Sequence, residues 1–488
     1  MMPTPAATNK DEDKQIGGRE PLALDLSKRL GEGRVLRDTK AIRRFLRDNS
    51  WLSPILSEHF RGGGGGEGPP VIDADMVVTP ENIEELRDII ALAVRHKSPI
   101  VVRGGGTTNF GQSIPLEGGV IIDSRKLNRI LEVSDTSITA EAGAFQGDVD
   151  ARARERSREL KVLVTTFATA TVAGWVGGGH VGLGGTVHGT IWDGNVTGIK
   201  LLTAEDPPRE ISLKGDDVWL VLRTSGTTGI ITEVTFPLVP ACRWLEAVVV
   251  FNKFADACKY VDELSARRDL MVRAAAAQET PLPNSFTPIT DLFTKDQAVA
   301  VVIVDANQEK QCEQLATSLG GRFHTWQITG EDNKVPMAFL SYGHRMLWVK
   351  KIAPEAGFLN CYLAPDRYME QFELLKREFG DGLLLEHKLI ISPWVARLRG
   401  LPADTIIPAP LLTVVKGNRA QVEAVMKYCD SIDVGYQNPH TFSIAESGMF
   451  LDFQPIVDFA HRVDPHGLLN PGKLHGTFFA SPAGGTKQ

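Results

Sequence analysis

The residues that suggest chemistry are glycines, with hydroxyl and amide side chains set among them. Gly104-Gly105-Gly106-Thr107-Thr108-Asn109-Phe110-Gly111 follows the apolar run Ile100-Val-Val102. A loop leaving a buried parallel strand is a common ligand site in α/β sheets. Without Cβ atoms, successive backbone N–H groups converge into a nest for an anion, and Thr107, Thr108 and Asn109 add side-chain donors. A G-x-x-x-x-G-K-[ST] phosphate loop is absent, since the one Gly-Lys pair, Gly472-Lys473, is followed by Leu474. A second run, from Thr171 to Gly189, holds one G-x-G-x-x-G at Gly177–Gly182, but further glycines follow where a dinucleotide fingerprint would begin its helix. Two such segments in one domain predict an extended dinucleotide gripped mainly by main-chain amides.

The elements that position these loops follow from periodicity. Met76-Val-Val78 reads as a strand and Thr79 as a helix cap, with Pro80 in the first position. Ile83, Leu86, Ile89, Ile90, Ala93 and Val94 then recur at helical spacing. With Ile100–Val102 this predicts a β-α-β unit with a parallel pair over 76–103. Short strands are expected at 120–123, 131–133 and 137–141, a helix over about 147–160, and strands at 196–202 and 229–236, with a domain boundary at Pro240. An earlier helical segment covers 39–60 and runs into the glycine-rich linker 61–70. Beyond Pro240 the alternation of strands and helices suggests two weak copies of a ferredoxin-like unit, an antiparallel sheet backed by helices. The expected organisation is a disordered tail at 1–20, a helical segment and linker at 21–70, a nucleotide-binding domain at 71–240, a second α+β domain at 241–460, and a C-terminal return and tail at 461–488.

Composition bounds the function. The chain has 488 residues, 42% apolar and 23% charged, with 53 basic against 60 acidic side chains. That balance is of a globular protein rather than a disordered one, and its sign argues against a nucleic-acid backbone binder. Apolar stretches such as Ala298–Val304 fall short of the roughly 20 residues that span a bilayer. The polar, acidic N-terminus does not read as a secretory signal. Cys242, Cys258, Cys312, Cys361 and Cys429 are scattered and form no C-x-x-C pair, so reduced thiols in a cytoplasmic protein are expected.

Several motifs, taken in order, resemble the FAD-binding (PCMH-type) domain of the vanillyl-alcohol oxidase and p-cresol methylhydroxylase superfamily, most nearly its glycolate oxidase subunit and D-lactate dehydrogenase branch. They are Val77-Val-Thr-Pro-Glu-Asn82, Arg103-Gly-Gly-Gly-Thr-Thr-Asn109, Gly118-Gly-Val-Ile-Ile-Asp123, Thr171-Val-Ala-Gly174 with Val187-His-Gly189, Asp193-Gly-Asn-Val196, Ser225-Gly-Thr-Thr-Gly-Ile-Ile-Thr232 and Leu468-Leu-Asn-Pro-Gly-Lys473. The resemblance implies an α+β fold, a two-subdomain FAD domain with an α+β substrate (cap) domain over it. It implies FAD contacts at Arg103, Gly104, Gly105, Gly106, Thr107, Thr108, Asn109, Gly111 and Gln112 in the first loop. Further contacts are implied at Thr171, Gly174, Gly177, Gly178, His188 and Gly189, then at Gly229, Ile230, Ile231 and Asn470. Many relatives attach the flavin through a histidine just past the last loop glycine. Thr107 and Thr108 stand there in this chain, so non-covalent FAD is expected.

The implied reaction is hydride transfer to flavin N5 from a hydroxyl-bearing small molecule, with a 2-hydroxy acid such as glycolate or D-lactate first. Such a reaction needs a base and, for a carboxylate, a cation. Candidates are Tyr342, His344 and Arg345, then Tyr436, Asn438 and His440. His440, in a Pro-fixed loop, is read as a base or substrate contact, and Arg345 as a surface ion pair or a carboxylate clamp. The histidine-rich H-x-G-D-G-N-x-H and later E-H-G-I-G segments that many hydroxy-acid relatives link to a divalent metal do not occur, and the isolated Glu386-His387 does not replace them, so no metal is expected. A polyol, sugar, aromatic alcohol or amine stays open as substrate, O2 or a redox partner as electron acceptor, and a flavin-binding scaffold without turnover as a reading of another class.

Overall fold

The computed structural model describes residues 10–47, 51–60, 73–332 and 334–475, with the backbone alone for 10–19. The expected linker at 61–70 and the tail at 476–488 lie outside the described residues. Three sheets organise the chain. The first has order β1-β2-β4-β3, from β1 (Val35–Leu36), β2 (Met76–Val78), β3 (Ile100–Arg103) and β4 (Val120–Asp123). The expected β2-helix-β3 unit is present, but its strands do not pair with each other. β4 lies between them, so that Val77 and Val101 both register with Ile121. β4 is buried along its whole length, and a strand apolar on both faces takes the centre of a parallel sheet.

The helix between them, Ile83–Arg95, starts where its apolar period starts. Its cap is Asn82 rather than Thr79: Asn82 Oδ1 accepts from the Glu85 N–H at 2.9 Å, which satisfies one of the first turn's free donors. Leu22, Ala23, Leu26 and Leu30 pack in one cluster with Leu86, Ile89, Ile90 and Ala93 of this helix. They belong to a helix over Lys10–Leu30, so the N-terminal segment turns helical inside the span expected to be a disordered tail. The expected helical segment at 39–60 is two short helices, Thr39–Ile42 and Pro54–Phe60.

The second sheet has order β5-β6-β10-β8-β9 with β7 on β10. Its strands are β5 (Ile130–Val133), β6 (Ser137–Glu141), β7 (Arg158–Leu160), β8 (Gly198–Leu202), β9 (Glu210–Lys214) and β10 (Ile230–Pro240). The helix expected at 147–160 is Gln146–Arg154. Ser157 then takes a positive φ of 56°, and the turn delivers β7 to β10, pairing Leu160 with Leu238.

The third sheet follows the expected duplication. Its strands are β11 (Trp244–Phe251), β12 (Val272–Gln278), β13 (Ala298–Asp305), β14 (Arg322–Ile328), β15 (Gly357–Tyr362), β16 (Leu383–Ile391), β17 (Ile406–Pro408), β18 (Leu411–Val414) and β19 (Gly435–Gln437). The order is β14-β11-β13-β12-β16-β18-β15-β19, with β17 on β16. Each half is strand-helix-strand-strand-helix-strand, and the halves join where β12 meets β16, with Ala277 opposite His387. Alternate residues point to opposite faces of a strand. Leu245, Ala247, Val249 and Phe251 pack under the helices, whereas Trp244, Val248 and Val250 pack toward the second sheet.

The C-terminal turn ties the loops together. Ile100 N–H donates to Leu468 O at 2.7 Å and Asn470 N–H to Ile100 O at 2.8 Å, which adds a parallel edge to β3. Asn470 Nδ2 donates to Gln112 O at 2.8 Å and Ser225 O at 2.7 Å. Lys473, fully buried, donates to Ile114 O at 2.6 Å, Gln112 O at 3.0 Å and Gly111 O. A buried acceptor stripped of its donor costs about 1–3 kcal/mol. Lys473→Met is therefore expected to lower the unfolding free energy in a denaturant titration by about 3 kcal/mol or more. Lys28→Met, on an exposed surface, should change it by about 0.5 kcal/mol or less.

Candidate active site

The first glycine loop is a wall built by close approach. A Cβ on Gly104 would lie 2.0 Å from Thr171 Oγ1, and one on Gly105 would lie 1.8 Å from Thr169 O. The strand end and the second glycine segment thus meet with no room for a side chain between them. Thr171 caps the short helix Val172–Gly178 by accepting from the Gly174 N–H at 3.2 Å, and Thr166 Oγ1 reaches Thr107 Oγ1 at 3.4 Å. Other glycines leave space instead. A Cβ on Gly177 would come no nearer to another atom than 3.9 Å, and one on Gly226 would meet nothing within 4 Å.

Along these joined segments runs a cleft of about 910 Å³, open to solvent, lined by Gly104, Gly105, Gly106, Thr107, Thr108 and Gln112. Thr171, Gly174, Gly177 and Gly178 line it too, and Gly229, Ile230 and Ile231 complete the wall. No charged side chain is among its lining residues. Gln112 Nε2 donates to Gly178 O at 3.0 Å, while its Oε1 and the Trp175 Nε1 are buried without a partner. The cleft therefore offers main-chain and neutral side-chain dipoles, a setting suited to a diphosphate.

Beside the cleft lies a chamber of about 730 Å³, also open to solvent, with Thr107, Thr108, Val164, Thr166, Gly178 and Gly179 lining both. Asn109, Phe110, His180 and Arg223 line it from one side, and Tyr342, His344, Phe358, Asn360 and Gln437 from the other. Period two explains which side chains of the third sheet arrive. On β15, Leu359 and Cys361 point to the helices, which sends Phe358, Asn360 and Tyr362 the opposite way. On β19, Tyr436 packs on the helix side and Gln437 faces the chamber.

Electrostatically the region is cation-rich. Arg223 is 4% exposed at a positive φ of 59°, stacked over the Phe110 ring at 4.5 Å. Burial pushes its guanidinium down to about 10. His180 Nε2 lies 3.0 Å from the Tyr362 hydroxyl, and burial, then Arg223 and Lys388, hold it neutral. His344 stacks on Phe339 with ring centroids 4.5 Å apart. Burial lowers its pKa, and a hydrogen bond to the Thr165 backbone opposes that. Its Nδ1 is buried without a partner.

Not every expected residue reaches this space. His440 is fully buried, with Nδ1 2.6 Å from Ser53 Oγ and Nε2 3.0 Å from Phe358 O. Both nitrogens are spent on the scaffold, and no substrate base remains. The Tyr436 hydroxyl donates to Asp430 at 3.3 Å on the helix side. Arg345 is no surface ion pair: it is fully buried and donates to Leu411 O at 2.8 Å and Thr413 Oγ1 at 2.9 Å, with Glu386 at 3.7 Å. Among the six expected candidates, Tyr342 and His344 line the chamber, and burial raises the Tyr342 hydroxyl pKa. Arg103 holds Ser113 Oγ and Arg47 O beneath the loop, Gly111 packs on Phe60, and Asn470 ties carbonyls. Gly189 packs on Asp193, and His188 lines a separate cavity with Lys161, Trp192, Trp219 and Trp394. Glu386 and His387 point to opposite faces of β16, toward Lys388 and toward Asp262. Among the described residues no three His, Cys, Asp or Glu side chains converge as metal ligands.

The motifs had singled out neither Arg223, His180, Phe110, Asn360 nor Gln437. Two carried a signal: His180 follows directly on Gly177-Gly178-Gly179, and Arg223 stands directly before Thr224-Ser225-Gly226.

Residues 74–206 match the family described as FAD binding domain. Over 175 residues the chain is 29% identical to the glycolate oxidase subunit GlcD of Bacillus subtilis (strain 168), a match that covers 34% of this chain and 37% of that protein. The chain spans less than half the length of the curated relatives it matches first. Among solved structures, alkyldihydroxyacetonephosphate synthase superposes with a TM-score of 0.65 at 13% identity, over 97% of this chain and 86% of that one. p-Cresol methylhydroxylase with substrate bound superposes with a TM-score of 0.64 at 16% identity, over 94% and 96%. These are likenesses of fold.

The placement of His440 predicts a pH dependence. Burial pushes it down to about 3 in the folded protein, against an ordinary value of about 6.5. Below pH 6.5 the unfolded chain takes up a proton that the folded one refuses, so this contribution is full above pH 6.5 and is lost as pH falls. Between pH 6.5 and 5 the loss is about 2 kcal/mol. His440→Gln should flatten the stability-against-pH curve over that range by about this amount, measured by denaturant titration at each pH.

Proposed function

We propose, from the FAD-binding domain that residues 74–206 form, that this protein is an FAD-dependent oxidoreductase acting on a hydroxyl-bearing small molecule in the chamber beneath the third sheet. The observation that carries this reading is adjacency: a glycine-walled cleft free of charged side chains shares six lining residues with a polar chamber. The residues present fit FAD. Gly104–Thr108 and Gly174–Gly178 would hold its diphosphate by main-chain amides, with Gln112 and Trp175 offering their unpartnered polar atoms. When bound, FAD supplies the acceptor for a substrate hydride.

The chain's own part is the proton and the pose. His344 would take the hydroxyl proton, because it lies on the chamber wall and burial keeps its imidazole neutral. As the carbon-bound hydrogen leaves as hydride and the hydroxyl proton passes to His344, the alcohol becomes a carbonyl. Asn360 faces the substrate from the chamber wall, Gln437 holds the Arg223 guanidinium beside it, and the third sheet keeps water out. A 2-hydroxy acid such as glycolate or D-lactate is the first substrate class, in keeping with the name of the glycolate oxidase relative. Dioxygen or a redox partner would reoxidise the flavin. No helix among the described residues is long and apolar enough to cross a membrane, and five free thiols, four of them buried, support a reducing compartment such as the cytoplasm.

Anaerobic mixing of the holoprotein with hydroxy acids, polyols, sugars and aromatic alcohols should bleach the flavin with at least one class. His344→Gln should slow that step by about 10²–10⁴-fold. A protein whose flavin no compound reduces would be a scaffold instead. With Thr107 and Thr108 beside the loop glycines, acid precipitation should leave the yellow colour in the supernatant; a yellow pellet would mean a covalent link.

A further inference from the structure

Burying a charge is costly unless it is paired, and the ground around the chamber breaks that rule in one direction. Arg223, Arg345 and Lys388 are each no more than 4% exposed, and a single carboxylate, Glu386, stands among them. Glu386 is already committed: it accepts from Lys388 Nζ at 2.7 Å and Gln278 Nε2 at 3.0 Å, and faces Arg345 Nε at 3.7 Å. Arg223 has no carboxylate within 4.0 Å among the described residues. Its partners are neutral. Nη1 donates to Gly179 O at 3.3 Å. With the Gln437 amide oxygen turned to the guanidinium, both Nη2 and Nη1 donate to it, Nη1 at 3.1 Å. One face of the guanidinium is covered by Phe110, and the residue sits in a left-handed backbone conformation that a non-glycine residue adopts at a cost. A guanidinium held this way, at a chamber wall, lacks an anion.

We propose that Arg223 is the anion clamp of the chamber and that the molecule oxidised there carries a carboxylate. This rests on the chamber being the substrate site. With one face stacked on a ring and the Nη1–Nη2 edge held by Gln437, the guanidinium offers its Nε–Nη2 edge, the geometry that a planar carboxylate meets with two parallel hydrogen bonds. Tyr362 and His180, joined at 3.0 Å, stand beside it as neutral dipoles that do not compete for the charge. The bound anion is the counter-ion that the fold does not provide.

The test uses the FAD-loaded full chain, with oxalate as a non-oxidisable carboxylate probe read by perturbation of the flavin absorbance. Lactate and 1,2-propanediol serve as a charged and an uncharged alcohol of matching size. Oxalate is expected to bind the native protein saturably. Arg223→Met should weaken it by about 100-fold and Arg223→Lys by about 10-fold. Gln437→Glu, which supplies an internal carboxylate beside the guanidinium, should abolish oxalate binding while FAD content and folding stay unchanged. That variant keeps the proposal testable if Arg223→Met fails to fold.

Oxalate affinity within twofold of native in Arg223→Met would overturn the clamp. So would reduction by the diol without any response to carboxylates, or a response to phosphate monoesters alone. A shift of the flavin midpoint potential in Arg223→Met with oxalate binding unchanged would assign the charge to the flavin and overturn it equally. Failure of the two readings is separable. Arg223-dependent oxalate binding in a protein whose flavin no alcohol reduces supports the clamp and removes the oxidoreductase, whereas flavin reduction that ignores substrate charge does the reverse.

Discussion

The structure depends on the contact between two stretches of backbone. Gly104 and Gly105 leave β3 so close to Thr169 and Thr171 that no Cβ fits between them, and everything around the cleft is arranged to keep that approach. Close packing of main chain on main chain leaves carbonyls with no secondary-structure partner, and a buried acceptor must be satisfied somehow. The C-terminal turn does this from 245 to 362 residues away, Asn470 and Lys473 donating to the carbonyls of Gly111, Gln112, Ile114 and Ser225. A lysine is an unusual choice for full burial, since desolvation disfavours its charge. Several converging carbonyls are what make it tolerable. The end of the chain is thereby part of the cofactor cleft without lining it.

The chamber has a different logic, set by the third sheet. Nine strands with helices on one face leave the other face to cover the cleft, and strand periodicity then decides which side chains arrive there. Phe358, Asn360 and Gln437 reach the space because Leu359, Cys361 and Tyr436 belong to the core under the helices. The same parity separates Glu386 from His387, sending one to a buried cation and the other to Asp262. A residue's place in the site is thus inherited from the register of a strand whose hydrophobic half was chosen for packing.

This explains what was legible in the sequence. The glycine loops were readable because their chemistry is local: the absence of side chains over consecutive positions is itself the signal, and Gly104 to Thr108, Thr171 and Gly174 to Gly178 do line one cleft. The duplicated half-sheets were readable too, from the repeated order of strands and helices. Catalytic candidates were readable only in part, because they depend on parity and on long-range contact: Tyr342 and His344 line the chamber, while Arg345, Tyr436 and His440 do not. Tyr436 and Gln437 are neighbours, and only the pairing of β19 with β15 decides which of them faces inward. His440 looked exposed in a Pro-fixed loop, yet Ser53, nearly 400 residues earlier, takes its Nδ1. The parallel pair expected over 76–103 failed for a related reason: local periodicity identifies β2 and β3 but carries no information on which later strand will come between them.

The cleft and the chamber hold negative charge in two physically distinct ways. Along the cleft, no charged side chain lines the wall. A diphosphate there would be solvated by fixed main-chain dipoles, which cost no desolvated cation when the site is vacated and suit a ligand that stays bound through many cycles. In the chamber the proposed holder is a full guanidinium kept short of a carboxylate partner. An unpaired buried cation destabilises the empty state and is relieved each time an anion enters, and again exposed each time product leaves. Such strain is tolerable only beside a rigid frame, and Arg223 has one. Its backbone N–H donates to Val176 O at 2.7 Å, and Ser225 N–H to Gly177 O at 2.8 Å, so the strained segment is pinned to the glycine helix that forms the cleft. The same helix therefore sets the position of the cofactor wall and of the anion clamp, and a shift in one cannot occur without moving the other.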